Sequence, residues 1–139
     1  MDNIVVKKIW EDSYGMELSF RFITSHVTIT SIVNINRDVI LNNNSKFQNC
    51  LSDGKTNVTL LFGHLGENFA PGIELKIFIN KNGHIEIEAN VELADDIFPK
   101  HKCSFSLSTE IGILENFMIN ICDLTNASTG TEYSLVELE

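Results

Sequence analysis

At 139 residues and 43% hydrophobic composition, the chain can bury one sizeable core but is too short for two ordinary domains, so we predict a single domain over residues 1–139. Its formal net charge of −9 arises entirely in residues 84–139, where eleven acidic residues stand against only Lys100 and Lys102, whereas residues 1–83 hold eight acids and eight bases. This distribution of charge excludes the basic stripe that nucleic-acid binding requires. The net negative charge of residues 84–139 should attract cationic partners to the C-terminal part.

The first predicted element is a β-hairpin followed by a helix. Apolar and polar residues alternate over 16–22 and again over 27–35, which is typical of two half-buried strands with a turn near Thr24 and Ser25. We predict that Asp38 caps a helix that extends to Leu51.

A short buried strand at 58–62 and a glycine-containing loop at 63–72 precede a second hairpin over 73–93. A three-residue turn at 81–83 is favoured, because it keeps the apolar residues of both strands on one face and gives Gly83 the left-handed conformation. The predicted cross-strand pairs are Ile79 with Ile85, Ile77 with Ile87, Phe78 with Glu86, and Lys76 with Glu88.

The next strand alternates apolar residues with serines over 103–108, and helical periodicity then runs from Ile111 to about Leu124. We expect Ser108 or Thr109 to cap this helix and Glu110 to complement its positive end. Residues 132–138 could add an edge strand. The chain therefore predicts an α+β fold of antiparallel β-sheets with two helices, in which a β-hairpin-plus-helix unit is repeated twice.

One strand of the second hairpin carries a row of acidic residues on its outward side. We predict that this row, with the loop that follows it and an exposed aromatic residue on the neighbouring strand, binds a partner. The predicted partner-binding residues are Glu86, Glu88, Glu92, Asp95, Asp96 and Phe78. The alternatives are a solvated sheet face without a function and a site for calcium or another hard cation.

The sequence does not indicate catalytic chemistry, and we expect neither a cofactor nor a metal. The histidines lack paired ligand spacing, and in the run His101-Lys102-Cys103 the alternation directs the cysteine into the core, away from substrates. Cys50, Cys103 and Cys122 are predicted to be buried free thiols.

The first residues of the sequence lack the apolar stretch that is typical of a secretory signal, and no segment approaches the roughly 18 apolar residues of a membrane span. We therefore expect a cytoplasmic protein without membrane contact. Trp10 and Tyr14 are interpreted as packing residues rather than as a ligand site.

The second half of the chain contains the runs GHIEIEANVEL at 83–93, HKCSFSLSTE at 101–110 and IGILENF at 111–117. Together these runs resemble the WapI-like bacterial immunity proteins. The resemblance implies an antitoxin that is encoded beside a secreted toxin and neutralises it by binding. It implies no catalytic residues.

Charge and resemblance together predict a non-catalytic immunity protein that binds a cognate toxin with a basic surface, because complementary charge accelerates and directs such association. The acidic row would then occupy the cationic cleft of the toxin. The alternative is a structural module that forms a homo-oligomer through an exposed sheet edge.

Overall fold

The computed structural model describes residues 2–66, 71–93 and 101–137. Its elements in these ranges are β1 (Asn3–Glu11), β2 (Met16–Ile23), β3 (Thr28–Ile35), α1 (Arg37–Ser52), β4 (Asn57–Gly63), β5 (Gly72–Ile79), β6 (His84–Leu93), β7 (His101–Glu110), α2 (Ile111–Asp123) and β8 (Glu132–Ser134).

The strands form two antiparallel sheets. The first sheet has the order β3-β2-β1-β8, and the second has the order β4-β5-β6-β7. Strands β1 to β3 lead into α1, and strands β4 to β7 lead into α2. The predicted α+β fold with antiparallel sheets and two helices is confirmed, and the unit that recurs is a group of antiparallel strands followed by a helix.

The inner faces of the two sheets pack against each other. Phe20 on β2 lies against Phe62 on β4, with ring centroids 5.0 Å apart, and Phe22 lies 5.4 Å from Phe105 on β7. Strand β3 contacts β4, β5 and β6 in turn, so it runs across the strands of the second sheet. Burial of each large aromatic side chain contributes about 1.5–3 kcal/mol, which makes this interface a main source of stability.

Both helices add their apolar sides to the same core. Helix α1 contacts β4 and α2, whereas α2 also contacts β7 and β8. Ile40 and Phe47 of α1 are buried, as are Leu114 and Phe117 of α2. In the described part of the chain, neither helix covers the outer face of the second sheet.

Helix α1 also protects the outer edge of β4. The side-chain amide of Asn43, which is buried, donates to the carbonyl of Leu61 at 2.9 Å and accepts from its N–H at 3.4 Å. These two bonds occupy backbone groups that would otherwise be free to pair with another chain.

The register predicted for the second hairpin is confirmed at every pair, including Phe78 with Glu86 and Lys76 with Glu88. Gly83 has φ +80°, which is the left-handed conformation expected of it. The side chain of Asn80 accepts from the N–H of Asn82 and of His84 and so fixes the turn.

The innermost charge of the first sheet is Lys8, which is completely buried. Its ammonium donates to the carbonyls of Leu124, at the end of α2, and Ala127, at 2.9 and 2.8 Å, and it lies 2.7 Å from Glu11. Since α2 has no basic residue in its last turn, Lys8 supplies the positive charge that a helix C-terminus favours. The contact also lowers the pKa of Glu11, chiefly through the hydrogen bond from Lys8.

The predicted helix caps are wrong. Asn36 caps α1 by accepting from the N–H of Val39, and Asp38 lies in the first turn. Ser108 and Thr109 still belong to β7, so the N-cap of α2 is Glu110, whose side chain makes no capping bond. The carbonyl of Gly83 instead accepts from the N–H of Ile111 at 2.8 Å.

The interpretation of Trp10 and Tyr14 as packing residues is also wrong, because their side chains are 45% and 89% exposed. Asp12 accepts from the N–H groups of Tyr14 and Gly15 in the turn between β1 and β2, and this turn projects Tyr14 into solvent.

Candidate functional site

The outer face of β6 carries the acidic row that the sequence predicts. Ile85 and Ile87 are fully buried, while Glu86 and Glu88 between and after them are exposed. Glu92 is half-buried, and Asp95 and Asp96 lie outside the described residues. The strand therefore presents two open carboxylates to solvent, with a third partly enclosed.

A row of serines lies beside the acidic row. Ser108, Ser106 and Ser104 of β7 are opposite Glu86, Glu88 and Asn90, respectively, and all three serines are exposed. From the sequence, these serines are assigned to a strand and Ser108 to a helix cap, but none of them to the candidate site. Their spacing of two residues matches that of the glutamates and is the signal that could have joined them to the site.

Glu86 is already partly neutralised by its neighbours. Its Oε1 accepts from the hydroxyl of Ser108 at 2.7 Å and lies 2.8 Å from Nε2 of His84. The other imidazole nitrogen of His84 lies 3.2 Å from Glu110. The pKa of Glu86 is lowered by the bond from Ser108 and then by His84, and the pKa of His84 is raised by Glu86 and then by Glu110.

Glu92 is engaged at the far end of the row, where its carboxylate accepts from the N–H of Gly66 at 2.9 Å. Lys102 is opposite it on β7. Between these two ends, the neutral amide of Asn90 donates to Glu74 and accepts from Ser104, so both ends of this side chain are engaged.

Glu88 is different from the other carboxylates of the row. Among the described residues it has no hydrogen-bond or ion-pair partner, and Lys76, opposite it on β5, lies 3.9 Å from Glu74 instead. A shallow cavity of about 240 Å³ beside Glu88 is lined by Asn90, Ser104 and Ser106 as well. Glu88 is thus an accessible anion next to a depression that small hydroxyl side chains leave open.

Phe78 lies on the same face, opposite Glu86 on β5, and its side chain is 42% exposed. It supplies an apolar contact beside the carboxylates, as the sequence predicts. An aromatic side chain surrounded by polar groups is a common centre of protein–protein interfaces.

The arrangement does not pair Ser108 with a histidine base. Ser108 donates to Glu86, while both imidazole nitrogens of His84 face carboxylates, so the serine lacks the contact with histidine that would activate it. Within residues 2–66, 71–93 and 101–137, no group of three or more His, Cys, Asp or Glu side chains is placed to hold a metal ion.

The three cysteines are free, but only Cys50 is fully buried. Cys103 and Cys122 are half-buried, so the prediction of three buried thiols is only partly correct. Burial raises the pKa of the Cys50 and Cys122 thiols, which keeps both protonated and poorly nucleophilic at neutral pH.

Comparison of the chain with protein families, curated proteins and solved structures finds no match. Among the described residues, no helix has both the length and the apolar character that a membrane crossing requires.

Proposed function

We propose that this chain is a non-catalytic cytoplasmic binding protein that docks a cationic protein partner on the outer face of its second sheet. In keeping with the resemblance of residues 83–117 to WapI-like immunity proteins, the partner we propose is a cognate bacterial toxin. The observation that carries the proposal is Glu88, an exposed carboxylate without a partner among the described residues, next to an open cavity.

The charge around Glu88 supports an electrostatic mode of docking. The outer face of the second sheet carries Glu74, Glu86, Glu88, Glu92 and Glu110 against Lys76 and Lys102, with His84 between Glu86 and Glu110. Such a face raises the rate at which a basic protein associates and orients it on approach, and both effects weaken as salt increases. Phe78 would add the apolar contact that charge alone does not provide.

The test is a binding titration against the protein encoded beside this chain, with and without added salt. We expect Glu88→Lys to weaken binding by more than about tenfold, because a like charge then faces the basic partner. Glu17→Lys is the matched control, since Glu17 lies on the outer face of the first sheet, opposite Asn34 and Trp10. We expect it to leave the affinity within about twofold.

A neutral substitution separates the carboxylates of the row. Glu88→Gln should weaken binding by about fivefold, whereas Glu86→Gln should cost less, because His84 and Ser108 already offset the charge of Glu86. This mode of docking would be excluded if neither added salt nor Glu88→Lys changed the affinity.

Homo-oligomeric assembly is the second candidate function, and the edge of β3 favours it. Residues 28–35 contain no charged side chain, Ile32 is 48% exposed, and β3 ends its sheet. An uncharged edge is the kind that pairs with a second copy. Light scattering would show a dimer that Ile32→Lys dissociates if this function is correct, and a monomer at all concentrations if it is not.

A further inference from the structure

Strand β7 is the other edge of the second sheet, and half of its peptide groups point away from β6. In an antiparallel pair the backbone groups of successive residues point alternately toward and away from the partner strand. The N–H of Ser108 donates to Asp2 at 2.9 Å, beyond the sheet, which fixes the direction of this residue. Ser106, Ser104 and Lys102 have the same parity and therefore point outward as well.

These outward groups are open. Among the described residues, β7 pairs only with β6, and nothing else bonds the backbone of Lys102, Ser104 or Ser106. At the corresponding edge of β4, Asn43 bonds the outward N–H and carbonyl of Leu61, and helix α1 packs beside the strand. The second sheet therefore has one edge protected by a helix and one that exposes a ladder of donors and acceptors.

We infer that the partner contributes an extended basic segment that adds to β7 as a fifth, antiparallel strand of the second sheet. The inference deepens the proposed function and rests on it, since it specifies how the cationic partner engages the acidic face. Main-chain hydrogen bonds to Lys102, Ser104 and Ser106 would supply affinity, and the side chains of the added strand would supply specificity.

The side chains on β7 explain why the added strand should be basic. A strand placed beside β7 lies two strand spacings, about 9.6 Å, from β6. Only the short Ser104 and Ser106 and the cavity beside Glu88 lie between them on the outer face. A lysine or arginine of the added strand can extend its long aliphatic stem over the serines and place its charge at Glu88.

Charge disfavours a second copy of this chain at the same edge. Two β7 strands paired with each other would bring two acidic rows onto one continuous sheet, three strand spacings or about 14 Å apart. Glu88 would then face a distant anion and gain no counter-charge. A basic strand instead gives Glu88 the partner that it lacks.

The test uses a peptide of alternating lysine and valine, as long as β7, as the probe, with the full chain labelled for amide hydrogen exchange. Binding should slow exchange at Lys102, Ser104 and Ser106 and leave Thr28, Thr30 and Ile32 of the β3 edge unchanged. In the antiparallel arrangement the N–H groups of the outer-face lysines point at β7. N-methylation of the peptide at its lysines should therefore weaken binding by about tenfold, and N-methylation at its valines should not.

Proline variants test the edge on the protein side. Ser106→Pro removes an outward N–H without breaking a bond to β6, so the sheet should tolerate it while binding falls about tenfold. Thr30→Pro is the matched control on β3, where the N–H also points outward, and it should leave binding unchanged.

The outcomes separate this inference from the proposed function. Strand addition would be overturned if Glu88→Lys abolishes binding while Ser106→Pro leaves the affinity unchanged and both N-methylated peptides bind as tightly as the unmethylated one. Docking on the acidic face would then remain. Binding that tolerates Glu88→Lys would overturn the proposed function instead. If Ser106→Pro does not fold, the N-methylated peptides decide the question alone.

Discussion

The two sheets place their distinctive charges on opposite sides. The first sheet buries Lys8 against the core, and its outer face carries Lys7 and Arg21 against Glu17 and Glu132, a balanced set. The second sheet has an inner face of apolar residues with Thr109 and His101 at its two ends and carries an excess of carboxylates outside. Charge in this protein therefore holds the fold together in one sheet and is available to a partner in the other.

This contrast shows why a count of charges along the sequence misjudges the surface. Lys8 contributes little to the field outside, because its buried ammonium is paired with Glu11 and donates to the carbonyl at the end of α2. Glu86 contributes less than its formal charge, since His84 lies against it. Among the described residues, Glu88 is the carboxylate of the row whose charge is not offset by a neighbouring side chain.

The contrast between the two sheets would be wrong if Lys8 did not stabilise the fold. We expect Lys8→Met to lower the free energy of unfolding by about 3 kcal/mol, because it leaves the carbonyls of Leu124 and Ala127 without a donor and removes the partner of Glu11. Urea denaturation measures the difference.

The neighbouring lysine provides the control for this prediction. Lys7 is exposed on the other side of β1, so Lys7→Met should change the free energy of unfolding by no more than about 0.5 kcal/mol. Equal effects of the two substitutions would mean that the charge in the first sheet is not structural.

The two edges of the second sheet also differ, because Asn43 of α1 bonds the edge strand β4 whereas the backbone of Lys102, Ser104 and Ser106 on β7 has no such partner among the described residues. Asn43→Ala removes both hydrogen bonds to the backbone of Leu61 on β4. We expect a loss of about 1–2 kcal/mol in the free energy of unfolding, together with faster amide exchange at Leu61. Asn42→Ala, at an exposed position of the same helix, should be neutral or slightly stabilising, since alanine favours helix. Unchanged exchange at Leu61 would contradict the role given to Asn43.

The second hairpin shows what the sequence could predict. Strict alternation over residues 73–79 and 85–93 excludes a two-residue turn and agrees with a three-residue turn, so parity predicted the register, and the turn type then predicted the left-handed Gly83. The outward position of Glu86 and Glu88 followed from the same parity. The strands β2, β3 and β7 were predicted for the same reason, since each of them alternates, whereas β4 was predicted as a short buried strand from its apolar residues at 58–62.

Strand β1 shows what the sequence could not predict. Ile4, Val5 and Val6 are all buried, so alternation is lost, and the register shifts between Lys8 and Trp10. The burial of Lys8 on the core-facing side could not be predicted, because Glu11 is its neighbour in sequence but the carbonyls of Leu124 and Ala127 are more than 100 residues away. The free state of Glu88 was equally hidden, since it depends on Lys76 pairing with Glu74 rather than across the strands.

The smallest predicted effect is the titration of His84 at the rim of the acidic face. Glu86 and then Glu110 raise its pKa above the ordinary value of 6.5, so the folded state binds the proton more tightly than the unfolded chain does. This contribution to stability is complete below pH 6.5 and is lost as the pH rises through the higher pKa of the folded state. Glu86 has the opposite sign: its pKa is lowered from 4.5, so its contribution is complete above pH 4.5 and is lost on acidification.

Stability from this pair should therefore be greatest between pH 4.5 and 6.5, and an NMR titration of the imidazole should report the raised pKa of His84 directly. Glu86→Gln should lower that pKa more than Glu110→Gln does, because Glu86 makes the closer contact, at 2.8 rather than 3.2 Å. If the two variants leave the titration of His84 unchanged, its imidazole does not share its proton with the acidic row. Glu86 would then present its full charge to a partner, and Glu88 would lose the distinction that the docking proposal gives it.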